Sequence, residues 1–260
     1  MNKDMLLRLL VRASFLAMIA VNALANILPI NGITTGQISD SYPNLFAPAG
    51  VTFSIWGLIY LLLGAYTVYQ SAFTKNDFLK KNGKLFRKIN IYFSFSSLTN
   101  ILWIFAWHYK QMSLATVLII SMLILLIKIA DLLKTVKCNF TQQLVIKAPF
   151  SIYFGWITVA TIAAITTFLV SVGWDGFGIS QQVWTMLVLI VGAAIGVARM
   201  FSDNNKTYGL VFIWAYGGIF IKHTAPEYFN GMYPGVLFVL IVCLIAFLLS
   251  ESVLLFRKTR

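Results

Sequence analysis

Charge is scarce in this sequence. Of 260 residues only 11% are Asp, Glu, Lys or Arg, against 59% hydrophobic, whereas a soluble domain carries about a quarter charged residues. A water-soluble fold of this size has no means of hiding so much apolar surface; a bilayer has. Acids are scarcer still, 8 against 20 bases, for a net charge of +12. Because the bases fall between apolar runs, that excess points to topology and not to nucleic acid. Cysteine is nearly absent. Cys138 lies among basic residues and Cys243 inside an apolar run, with no CxxC spacing, so neither a disulfide framework nor a metal site is implied. No P-loop, HExxH or GxSxG motif is present, which removes the commonest phosphate-binding, zinc-protease and serine-hydrolase signatures. The charges that exist also avoid the middle of every long apolar run: Lys128, Asp131, Arg199 and Glu251 sit near run ends. Proton- and cation-coupled transporters place an ionisable group at depth. Its absence lowers that class, although neutral oxygens can still bind a cation.

What is present is a series of apolar runs. A membrane helix needs roughly 20 such residues, and eight runs qualify: 13–30, 51–73, 89–108, 113–131, 148–171, 182–200, 207–222 and 235–256, the seventh being the shortest. The expected fold class is therefore all-α, a polytopic membrane helical bundle. The third run is rich in small hydroxyls (Ser94, Ser96, Ser97, Thr99), which suits burial among helices more than lipid contact. Lys and Arg near run ends set orientation. With eight spans, 18 of the 20 bases fall on one side, leaving only Lys110 and Lys222 on the other. That side includes Lys3, Lys75, Arg199, Lys258 and Arg260. Both termini and the basic loop 75–88 are thus expected in the cytoplasm, the loop against anionic lipid headgroups, in a bacterial-type cytoplasmic membrane. Two Asn-x-Thr sequons, at Asn139 and Asn205, fall on the cytoplasmic side and are discarded as glycosylation sites. The first run carries a basic flank and Ala23-Leu24-Ala25, a cleavable-signal pattern. Asn22 and Asn26 stand one helical turn apart within it, as a helix contact would, so the span is expected to be retained.

Aromatic residues concentrate in three places. The loop 31–50 carries Ile33, Ile38, Tyr42, Leu45 and Phe46 with Pro43 and Pro48, too apolar for a linker; it is expected to fold back on the bundle as a lid. Phe53, Trp56 and Tyr60 then follow at i, i+3, i+7, one face of a helix. Asn100, Trp103 and Trp107 repeat that spacing in the third run, where a buried Asn must be paired. Tyr153 and Trp156 are neighbours on a face of the fifth. Helix packing and interfacial aromatic belts also produce such stripes, and Trp174 and Trp184 fit a belt. His108 closes the third run and could cap the helix or ligate haem iron, capping being the commoner use.

These motifs, in this order, resemble the TspO/MBR family, the tryptophan-rich sensory or translocator proteins. That family has five spans and a proline-bearing first loop, with a Pro eight residues before the Trp of W-x-x-x-Y; Pro48, Trp56 and Tyr60 stand at that spacing. Its L-N-x-x-W is matched in part by Asn100 and Trp103, with Thr99 in place of Leu, and its Y-x-x-W by Tyr153 and Trp156. Ala47-Pro48-Ala49-Gly50 stands where paired prolines and a further Trp are common, Ile152 where a Pro is usual, and Ala163-Ala164 where Leu-Asn is usual. The resemblance covers 1–171, read as a five-helix bundle with the lid. Residues 172–260 are read as an additional three-helix module, in which Gly192-x-x-x-Gly196 offers a smooth face for close helix approach and could cover a surface that relatives use to form homodimers.

The resemblance implies a receptor or carrier for a planar lipophilic ligand, a porphyrin or haem, or a sterol-like lipid, bound as cargo with no cofactor required. On the residues alone, Trp56, Tyr60, Trp103, Trp107, Tyr153 and Trp156, with Phe46, Pro48 and Phe53, offer faces for a flat ring. Asn22, Asn26 and Asn100 offer orienting hydrogen bonds. A permease for a neutral or amphipathic solute stays open, as does a membrane enzyme degrading porphyrin photochemically. No acid–base pair or metal site for ordinary catalysis is evident.

Overall fold

The structure is a computed structural model describing residues 3–71 and 76–257. Lys75, Lys258, Arg260 and the 72–73 end of the second expected span lie outside the described residues. The protein is 83% helical, with no strand among the described residues. Its helices are α1 (Lys3–Ile27), α2 (Thr35–Asp40), α3 (Ile55–Ser71), α4 (Asp77–Lys81), α5 (Gly83–His108), α6 (Met112–Lys134), α7 (Phe140–Gln142), α8 (Ala148–Ser171), α9 (Gln181–Asp203), α10 (Lys206–Thr224) and α11 (Pro234–Phe256).

Among the described residues, seven helical stretches are long and apolar enough to cross a membrane: Met5–Ile27, Gly50–Gln70, Gly83–His108, Met112–Lys134, Phe140–Ser171, Gln181–Asp203 and Pro234–Phe256. The helix over the seventh expected run, α10, is outside that set, since Lys206, Lys222 and His223 lie within its 19 residues. The first span begins earlier than the run 13–30, because nothing between Lys3 and Arg12 breaks a helix. It stops at Ile27 because Pro29 follows with φ −49° and ψ 115°, and the residue before a proline avoids helical geometry. The second span enters through a 3-10 turn, Gly50–Ser54, and becomes α-helical only at Ile55. Phe53 therefore sits in the turn and not on the helix face expected of it.

Along α11, Phe238, Ile241, Val242, Ile245, Leu248 and Leu249 are exposed, Phe238 at 68%. Such a surface is stable against lipid tails and not against water. The chain is an integral membrane protein.

By internal contacts the chain forms two compact units: one of the chain up to Ile38 with Trp56–Phe154, the other of Ser39–Ile55 with the chain from Gly155 on. In the first, α5 packs against both α1 and α6. The most apolar stretch of α5 is 56% buried, against 33% for that of α6, and Ser94, Ser96 and Ser97 lie in its interior. Tyr66, Phe93 and Phe150 meet edge-on there, at centroid distances of 4.8 to 5.8 Å, while the Tyr66 hydroxyl donates to Asn90 Oδ1 at 2.6 Å. In the second, α9, α10 and α11 pack on one another. Gly192 and Gly196 face inward within this unit: a Cβ at Gly196 would lie 2.8 Å from Phe212 and 2.9 Å from Phe247, and one at Gly192 2.7 Å from the Tyr216 hydroxyl. Inserting carbon into such a site costs about 1–3 kcal/mol. Gly196→Leu is expected to lower the thermal midpoint in detergent, whereas Gly217→Ala, at a glycine with open space around it, leaves it nearly unchanged. Equal midpoints for the two variants would contradict this packing.

Candidate functional site

Within the first unit, helices α3, α5 and α8 bring five rings together. Trp56 lies at the centre: its ring is stacked on Tyr60 (5.5 Å between centroids, 20° between planes), tilted against Trp103 (6.3 Å) and edge-on to Tyr153 (6.0 Å). Trp103 in turn stacks on Trp107 at 5.7 Å. The array follows from spacing: Trp56 and Tyr60 are one turn apart on α3, Trp103 and Trp107 one turn apart on α5, so each pair lies along a single face. Trp103 and Tyr153 are buried and Trp56 and Tyr60 partly so. Two polar atoms inside the array, the Tyr60 hydroxyl and Trp103 Nε1, have no hydrogen-bond partner among the described residues. Buried groups of this kind are normally satisfied, so these two are available to a ligand.

A polar chain borders the rings. Asn22 Nδ2 donates to Asn100 Oδ1 at 2.6 Å and to the Met18 carbonyl at 2.9 Å. Asn100 Nδ2 points at Met122 Sδ (4.0 Å), and the Tyr153 hydroxyl donates to the same sulfur at 2.9 Å. Asn100 is thus paired, as an amide at that depth requires. Asn26 does not join this chain; it is exposed, and its amide donates to the Asn22 carbonyl of its own helix.

The end of α5 holds the first part of the long loop. His108 is fully buried, with Nδ1 3.0 Å from the Ile30 carbonyl and Nε2 3.1 Å from Thr35 Oγ1. Its own carbonyl accepts from Asn31 Nδ2, and Trp107 Nε1 donates to the Thr35 carbonyl. Both ring nitrogens are therefore engaged in protein contacts, which is the capping use and leaves neither free for iron.

Phe46, Pro48, Phe53 and Trp156 belong to the second unit. Phe53 meets Trp156 edge-on at 5.8 Å, and Phe46 and Pro48 are buried. The loop residues from Ser39 on are fastened to α10. Lys222 Nζ pairs with Asp40 at 2.6 Å, His223 Nε2 contacts the Leu45 carbonyl at 2.9 Å, and the Ala49 amide donates to the Gly218 carbonyl at 3.0 Å. Trp214 Nε1 donates to the Thr52 carbonyl, and a Cβ at Gly218 would collide with the Thr52 side chain. No sequence signal linked Asp40 to Lys222, since long-range ion pairs leave no periodic trace. Gly218 is the position where the loop backbone approaches.

A family model described as TSPO-like protein matches residues 8–253. The match runs past residue 171, where the motif resemblance ended, through most of α11. No curated protein and no solved structure matches the chain.

Proposed function

The chain belongs to the TSPO-like protein family, and on that premise we propose that it is a membrane receptor or carrier for a planar lipophilic ligand of the tetrapyrrole type. The ligand site is the array of Trp56, Tyr60, Trp103, Trp107 and Tyr153. The observation that supports this reading is a continuous set of ring faces from three helices that includes two buried, unpartnered polar atoms. A flat macrocycle matches the faces by stacking, and its ring nitrogens or carboxyl edges supply partners for the Tyr60 hydroxyl and Trp103 Nε1. The Asn22–Asn100 pair fixes the relative placement of α1 and α5 beside the rings. In this reading the Lys/Arg-rich ends of the spans face the cytoplasm.

The test is a titration of the purified full chain with protoporphyrin IX and with haemin in the dark, following the Soret band and tryptophan quenching. Saturable binding of both is expected. Because both His108 nitrogens are already engaged, the iron gains no protein ligand there, and the two pigments should bind with affinities within about tenfold, 1.4 kcal/mol, of each other. Absence of saturable binding, together with flux of a neutral solute into liposomes, would overturn the receptor reading in favour of a permease. Loss of pigment only under illumination would replace it with a photochemical enzyme.

A further inference from the structure

A cavity of about 190 Å³ lies wholly in the second unit, and no residue of the ring array lines it. Its walls come from Leu45 and Phe46 of the loop, Leu169 and Val170 at the end of α8, Trp174 and Asp175 of the α8–α9 connection, and Trp184 and Val188 of α9. The volume is slightly larger than a roughly 150 Å³ apolar cavity that takes up benzene, so it suits a group of that size. From the volume, the ring pair and the charge of the lining, we propose that this cavity binds an alkylammonium group, with Trp174 and Trp184 as its aromatic walls and Asp175 as its counter-charge.

The two indoles stand 5.1 Å apart at 56°, so they form adjoining walls of a corner and not a parallel stack. Trp184 is locked: its Nε1 donates to the Gly176 carbonyl at 2.8 Å, and Gly176, at φ +67°, has no Cβ to push the indole away. Asp175 is placed by its own turn, with Oδ1 accepting from the Phe177 amide at 2.9 Å. Its second carboxylate oxygen is engaged by no donor among the described residues. Among the described residues no Lys, Arg or His lines the cavity, and Asp175 is the one charged residue of its lining. Indole faces attract cations within about 6 Å of the ring, more strongly where water is displaced. Asp175 is exposed, and an exposed carboxylate beside the lining repels anions and draws cations in. An apolar body alone would satisfy the walls without using the carboxylate, which is why charge is the discriminating property.

An alkylammonium can arrive as a free small amine or as the choline headgroup of a lipid, and the two sources share the recognition chemistry. The full chain in maltoside detergent is titrated with choline and with 3,3-dimethyl-1-butanol, its uncharged isostere, by calorimetry and by saturation-transfer NMR of the methyl protons. Choline is expected to bind saturably and at least about tenfold more tightly than the alcohol. Asp175→Asn keeps an oxygen for the Phe177 amide and removes the charge, so the fold is retained while choline affinity falls about tenfold. Trp174→Leu, which removes the indole whose ring nitrogen makes no bond to the loop, should weaken choline comparably and spare the alcohol. Equal affinity for choline and the alcohol, indifference to both substitutions, or no saturable choline binding would each overturn the proposal. Dihexanoylphosphatidylcholine as competitor separates the sources: displacement at concentrations well below those of free choline assigns the headgroup of a lipid, and displacement only at equal or higher concentrations assigns a free amine. Protoporphyrin binding, measured on the same variants, should be unchanged, so failure here and failure of the ring-array site are distinguishable.

Discussion

Trp56→Ala should weaken protoporphyrin IX binding about 30-fold or more, the largest loss at any single position of the ring array. The expectation rests on Trp56 being the hub. It is the ring that touches Tyr60, Trp103 and Tyr153 at once, at 5.5, 6.3 and 6.0 Å. Removing it takes away one stacking face and lets the remaining rings relax into the space. An aromatic side chain buries about 150–250 Å². If the ligand covers roughly half of that area, the lost burial at ~25 cal/mol/Å² is on the order of 2 kcal/mol, which corresponds to the quoted factor. Trp56→Phe keeps a smaller face and should lose less than the Ala variant. Trp103→Phe keeps most of the face but removes Nε1, so it isolates the value of one hydrogen bond, about 1 kcal/mol or severalfold in affinity. Phe238→Ala, at a side chain 68% exposed on α11, is the matched control and should bind as the parent does. Saturable binding with the same dissociation constant in the parent and in Trp56→Ala would place the ligand elsewhere.

How much of this arrangement the sequence carried depends on the kind of signal. Spans write themselves into composition, because a helix in lipid must be apolar over about 20 residues. Their ends are less legible: α1 starts at Lys3 because an amphipathic basic flank continues a helix as well as an apolar one does, and α3 starts at Ile55 because a 3-10 turn looks like helix in a hydropathy pattern. The Trp56–Tyr60 and Trp103–Trp107 pairs were readable since one-turn spacing fixes which side chains share a face. The contacts among Trp56, Trp103 and Tyr153 join three helices, and no spacing within one helix encodes them. Tyr66, Phe93 and Phe150 form a tighter aromatic cluster, at 4.8 to 5.8 Å, that no spacing rule picks out, because aromatic residues inside apolar runs pack on lipid and on protein alike. The cavity by Trp174 and Trp184 was invisible for a related reason. Two indoles near a run end read as an interfacial belt, and only their 56° corner and the adjacent Asp175 distinguish a wall from an anchor.

Asn100→Asp should cost the protein about 2.5–3.5 kcal/mol of stability, the range for placing an acidic side chain at the centre of a membrane helix. Asn100 is fully buried in α5, receives the Asn22 amide at 2.6 Å, and faces Met122 Sδ with its own. An ionised carboxylate still accepts from Asn22, but among the described residues no cation bonds to that chain to offset the charge, and the contact toward Met122 turns from donor-to-sulfur into two acceptors facing each other. The comparison with Asn100→Leu decides between charge and lost pairing. The Leu variant removes the interhelical bond from Asn22 and the long contact to Met122 Sδ; an interhelical hydrogen bond is worth on average about 0.6 and at most about 1.7 kcal/mol in membrane proteins. If pairing alone mattered, the two variants would be equally damaged; if charge dominates, the Asp variant is the worse by more than 1 kcal/mol. Acidification separates them further. Protonation neutralises the introduced acid and restores a donor, so the Asp variant should regain stability as pH falls, while the Leu variant shows no such recovery relative to the parent. Asn22→Leu combined with Asn100→Leu should cost less than the two single losses added, since each single change strands the other amide and the double change strands neither. Thermal inactivation midpoints of the five proteins in one detergent measure all of this. Additive losses, or an Asp variant as stable as the parent at neutral pH, would mean that Asn100 is not shielded from water between α1 and α6.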